Sequence, residues 1–172
     1  MEDSLRGAIQ KKRIHTLYLK MIEYYRGDPH QVQHFVKVHS FARLIAQEEG
    51  ARGELLELIE VAALVHDIGI KAAIAKYGKS SANLQEKLGP PETERLLCEI
   101  GFKASFIQRV CYLVGHHHTY DKIDGLDYQI LVEADFLVNI HESGYDKDAI
   151  GQVDEKIFKT QTGKWILRQL FL

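Results

Sequence analysis

No run of about 18 apolar residues occurs in this 172-residue chain, so none of it is expected to span a bilayer. The amino terminus, Met1-Glu2-Asp3-Ser4 with Lys11-Lys12-Arg13 beyond it, lacks the apolar core of a secretory signal. The expected compartment is the cytoplasm. Cysteine is scarce as well. Cys98 and Cys111 stand in apolar helical stretches at a spacing that suits no metal pair, and buried reduced thiols are expected of them. An excess of one charge is also missing. Lys and Arg number 22 against 24 Asp and Glu, with no long basic run, which argues against a duplex nucleic-acid partner. Strand-like alternation is nearly absent, and no internal repeat, low-complexity tract or linker is found.

What remains is helical periodicity along one domain, residues 1–172. At that length about 68–70% of the unfolded chain's surface can be buried, enough for a core without staples. The apolar spacing predicts a helix over Ile9–Tyr25, with Ile14, Leu17, Tyr18, Met21 and Ile22 inward. A second follows over Pro29–Glu49, capped by Asp28 and ended by Gly50. A third covers Glu54–Asp67, ended by Gly69. Residues Lys71–Pro91 are rich in turn formers and read as a short helix near Ala72–Tyr77 plus a mobile flap. Helices resume over Glu92–Ile100, Lys103–His117, Leu126–His141, Lys147–Phe158 and Gly163–Leu170. The expected fold class is all-α, a compact multi-helix bundle.

Polar residues on apolar stripes carry the functional signal. His34 begins the stripe Val38, Phe41, Ala42 and Ile45 on the second helix. His66 ends the stripe Ile59, Ala62 and Ala63 on the third, with Asp67 beside it. Asp135 shares a face with Leu131, Ala134 and Val138. Each alone has an ordinary reading: a hydrogen-bonded core histidine, a helix cap, a carboxylate paired with a base. Together they are costly, because a buried ionised aspartate loses several kcal/mol of hydration unless compensated. A divalent cation would neutralise both carboxylates and take the imidazole nitrogens as further ligands. Such a nitrogen and oxygen set suits manganese, iron, cobalt or zinc better than calcium.

The segments His34-Phe-Val-Lys-Val-His-Ser-Phe-Ala42, Ala62-Ala-Leu-Val-His-Asp-Ile-Gly69 and Glu133-Ala-Asp135 resemble the HD-domain phosphohydrolase superfamily over about Val32–Ile140. In that family a histidine on one helix, a His-Asp doublet on the next long helix and a distant aspartate bind metal. By matched position these are His34, His66, Asp67 and Asp135. The resemblance implies a helical fold and hydrolysis of a small phosphate ester, a nucleotide being the expected substrate. Many relatives carry a lysine directly after Ile-Gly. Here Ile70 stands there and Lys71 follows, so Lys71 is a displaced candidate for meeting the substrate phosphate.

The run His116-His117-His118 is the second clue, since some relatives hold a second cation with additional histidines. His117 continues the stripe Phe106, Val110, Leu113 and Val114, which makes it the best inward candidate, with His116 and His118 flanking it. The other such position falls near Gln85-Glu86, where Glu86 is a candidate ligand or base. A metal-activated water, oriented by Asp67, is the expected nucleophile. His117, if not a ligand, is a candidate acid for the leaving alkoxide. Lys76, Lys79 and Lys87 join Lys71 as candidates to attract an anion. The rival reading is a non-catalytic sensor module that binds metal or nucleotide; a closed ligand set would favour it and an open coordination position would favour catalysis.

Overall fold

Asp28 accepts the Gln31 amide at 3.1 Å and Pro29 occupies the first turn, so the second helix starts where the cap chemistry places it. The computed structural model describes residues 2–172. Among these it contains nine α-helices, one 3₁₀ turn at Tyr120–Lys122 and no strand. They are α1 (Glu2–Tyr24), α2 (Pro29–Glu48), α3 (Gly53–Val65), α4 (Gly69–Tyr77), α5 (Ala82–Ile100), α6 (Ala104–Val114), α7 (Leu126–Ser143), α8 (Lys147–Lys156) and α9 (Gln161–Phe171).

α3 and α7 form the centre. Every residue from Ile59 to His66 and from Asp127 to Asp135 is buried, charged ones such as Glu133 and Asp135 included. α2 packs against both, α1 and α6 close on α3, and α5 joins α4 to α6. α1 turns Ile14, Leu17, Met21 and Tyr25 into the core. Ile22, expected inward, is exposed because it lies on the face of α1 next to that stripe. Cys98 is likewise exposed and Cys111 half-buried, both unpaired, which corrects the expectation of two buried thiols. Among the described residues no helix is long and apolar enough to cross a membrane.

The largest difference lies between Lys71 and Pro91. The short helix expected near Ala72–Tyr77 is present within α4, but in place of a flap α5 follows after residues 78–81 and continues through Gly89-Pro90-Pro91. Gly69, expected to end a helix, begins α4. A Cβ on it would lie 2.6 Å from the Gln85 carbonyl oxygen, and one on Gly89 would lie 2.5 Å from a Val114 methyl. These glycines therefore serve close helix contact, not chain reversal. The two prolines remove their own amide donors and crowd the carbonyls four residues back, and packing against α4 and α6 overrides this local cost.

At the carboxyl end, Glu133 is fully buried. Its Oε1 accepts the Lys159 amide at 2.6 Å, the Thr160 amide at 2.9 Å and the Gln129 side-chain amide at 2.8 Å, and the Thr160 hydroxyl donates to its Oε2. This carboxylate ties the start of α9 to α7. Glu133→Ala would strand several buried donors, so it should lower stability by about 3 kcal/mol. Urea unfolding measures this, and amide exchange should accelerate first in α9.

Candidate metal centre

The doublet sits in the turn between α3 and α4, and α1 clamps that turn. The Tyr25 hydroxyl donates to the Asp67 carbonyl at 2.7 Å, and that of Tyr24 to the Ile68 carbonyl at 3.1 Å. His34 arrives from the second turn of α2 and Asp135 from α7. His34 Nε2 lies 3.2 Å from His66 Nε2, 3.4 Å from Asp67 Oδ2 and 3.3 Å from Asp135 Oδ1. His66 Nε2 is 3.6 Å from Asp67 Oδ2 and 3.4 Å from Asp135 Oδ1. All four sequence-selected residues thus meet at one point.

The histidine run follows α6 instead of extending it, because α6 stops at Val114. His117 points inward, with Nε2 at 3.4 Å from Asp67 Oδ1. His118 Nε2 bonds Gln85 Oε1 at 2.8 Å, which leaves Nδ1 as its free nitrogen. His116 turns away: its ring stacks on Tyr112 and its Nδ1 bonds the Tyr112 carbonyl. Glu86 fastens this turn, accepting the His118 amide at 3.0 Å and the Thr119 hydroxyl at 2.9 Å. From the other side the Tyr128 hydroxyl donates to the carbonyls of His116 and Thr119. Helical α5 is what brings Gln85 and Glu86 to the site. Lys71 is not gathered in: its ammonium donates to the Tyr24 carbonyl and lies over that ring. Lys76, Lys79 and Lys87 are exposed.

Two groupings among the described residues bring candidate ligand atoms within 4.8 Å of one another: His34, His66 and Asp67, and then Asp67, His117 and His118. Asp67 belongs to both, one oxygen facing each. The donors fit a cation on three grounds. Bonds of about 2.1 Å to a small divalent ion set neighbouring donors about 3.0–3.4 Å apart, close to the distances here. His66 and His117 bond backbone carbonyls through Nδ1, those of Ala63 at 2.9 Å and Val114 at 2.8 Å, which leaves Nε2 lone pairs facing inward. Finally, His117 Nε2 and Asp135 Oδ1 are buried with no hydrogen-bond partner, an arrangement that normally demands one.

The electrostatics agree. Burial disfavours a charged His34, but Asp135, Asp67 and Glu142 outweigh it and lift its pKa to about 9. His66, fully buried, is raised by Asp67 and Asp135 in the same way. Burial pushes both aspartates up, and the imidazoles beside them hold both below the usual carboxylate range. Burial and the neighbouring His117 pull His118 down to about 4, so it is neutral at pH 7. The cluster therefore wants positive charge, and without a metal it takes protons.

Glu142 was not singled out from the sequence, yet its Oε2 lies 2.9 Å from His34 Nδ1. The available signal was its spacing: seven residues beyond Asp135, it shares that residue's face of α7.

The HD-domain family model matches residues 32–140. A predicted HD superfamily hydrolase from an uncultured Thermotogales bacterium is 24% identical, with a TM-score of 0.61 over 92% of this chain and 83% of that one. Selenomethionine YpgQ from Bacillus subtilis is 15% identical, with a TM-score of 0.66 over 94% of this chain and 87% of that one. No curated protein matches the chain.

Because His34 holds a proton below about pH 9 in the metal-free protein, a cation must displace it. Affinity for manganese(II) should therefore rise with pH from about 6 and level off above about 9. Calorimetric titration in two buffers of different ionisation enthalpy should also show proton release on binding.

Proposed function

The chain belongs to the HD-domain family, and on that premise we propose that it hydrolyses the phosphate ester of a small metabolite, a nucleotide foremost, with a divalent cation held by His34, His66, Asp67 and Asp135. The observation that carries this reading is the convergence of imidazole Nε2 atoms and carboxylate oxygens at 3.2–3.6 Å, two of the buried atoms around it lacking any partner. When bound, such a cation lowers the pKa of water towards neutrality and offsets charge on the phosphoryl oxygens.

The chain's own residues divide the remaining work. The Asp67 side chain is 15% exposed against 8% for Asp135, 5% for His34 and none for His66. Asp67 is therefore the edge at which water and substrate meet the cluster. Its two oxygens face different imidazoles, so it can orient an attacking water while keeping contact with the deeper residues. His117 lies buried beneath that edge, its Nε2 directed at Asp67 Oδ1. Two roles fit it: a ligand, with His118, for a second cation, or the acid that protonates the leaving alkoxide. Lys71 could reach a substrate phosphate only by leaving the Tyr24 carbonyl. The openness at Asp67 favours catalysis over the sensor reading.

The test is a panel of phosphate esters assayed after reloading with manganese, iron, cobalt or zinc. Metal binding with no turnover on any ester would support the sensor reading instead. Asp67→Ala should abolish hydrolysis and remove most of the metal-induced rise in Tm while leaving the helical circular dichroism intact. His117→Ala separates the two roles of that residue. Loss of one of two bound cations marks a ligand, whereas unchanged metal content with turnover lower by about 10²–10⁴ marks the acid.

A further inference from the structure

We propose that Glu142 is a positioning residue for cation binding: its carboxylate fixes the ring and tautomer of His34 so that Nε2 is presented bare to the cluster. The inference rests on the reading of that cluster as a cation site. A ligating imidazole needs an acceptor for the hydrogen on its other nitrogen. His66 and His117 find theirs locally, in the Ala63 and Val114 carbonyls three residues back. Those carbonyls are free because α3 and α6 end just there, and the last turn of a helix leaves its carbonyls without amide partners.

His34 has no such recourse. It lies inside α2, where the carbonyls of the preceding turn already accept helical amides. The acceptor must come from another element, and α7 supplies it: Glu142 Oε2, 2.9 Å from His34 Nδ1. The carboxylate is itself held. Lys37, one turn along α2, donates to its Oε1, and His30 Nε2 stands 3.9 Å from its Oε2. The Glu142 side chain is only 13% exposed, so water competes weakly for it. A carbonyl can orient an imidazole, but a carboxylate also makes it a stronger donor to a cation. His34 is the one imidazole of the three with such a partner. Glu142 falls outside the residues matched by the family model, 32–140.

Cobalt(II) affinity, measured by chelator competition on the full chain, tests this. Glu142→Ala should weaken binding about 10–100-fold. Glu142→Gln should weaken it less, because its amide oxygen still accepts from Nδ1 without the charge. It carries the test alone should the alanine variant not fold. In proton spectra of the cobalt(II) protein, the shifted exchangeable imidazole resonance of His34 should move or vanish in Glu142→Ala, while that of His66 stays. A merely structural role would lower the Tm of the metal-free protein and change neither readout. Wild-type cobalt affinity in both variants overturns the proposal and leaves the cation site standing. A wild-type protein that binds no cobalt(II) at all, with His34→Ala no different, overturns the cation site and this proposal with it.

Discussion

His34 Nε2 lies 3.2 Å from His66 Nε2 and 3.3 Å from Asp135 Oδ1, in a pocket of lone pairs that only positive charge stabilises. Buried carboxylates lose several kcal/mol of hydration, and the surrounding architecture keeps them buried. α3, which ends just before His66, and α7, which carries Asp135, are packed among the other helices. The doublet's turn is pinned through its carbonyls by Tyr24 and Tyr25. The histidine turn is pinned by Glu86 and Tyr128. With this support the candidate ligand atoms already lie together, so a cation held there would demand little further ordering.

Where each histidine sits along its helix decides how it is oriented. His66 and His117 follow helix ends and use carbonyls that the helix leaves free. His34 lies within α2 and depends on a charged group from a neighbouring helix. A site built at helix ends is largely self-orienting, and one that also draws on a helix interior must recruit a distant partner. The same logic places Asp67 at the open edge: it stands in a turn, and its oxygens face both groupings of histidines.

The rim of the site is helical, not a flap. α5 carries Gln85 and Glu86 to the histidine turn as part of a continuous helix, in spite of Gly89-Pro90-Pro91. Gly69 lets the backbones of α4 and α5 nearly touch, and Gly89 makes room for the Val114 side chain of α6. The Gln85 and Glu86 side chains are thus presented from a continuous helix, the kind of support that holds site geometry closely.

The helical class, the Asp28 cap and the inward set His34, His66, Asp67 and Asp135 were all legible in the sequence. Each depends on periodicity and local backbone chemistry, which a stretch of about ten residues already contains. His117 was favoured over its neighbours for the same reason, although α6 stops three residues before it. The contacts between distant segments were not legible. That His118 joins the cluster while His116 stacks on Tyr112, that Lys71 rests on Tyr24, and that Glu142 and Glu133 bind partners on other elements follow from how the helices pack. A turn-forming string such as Gly89-Pro90-Pro91 stays helical for the same cause. Local preference fixes which face of a segment is apolar, but only tertiary packing brings a particular side chain on another segment within hydrogen-bonding distance, and it outweighs local preference where the two conflict.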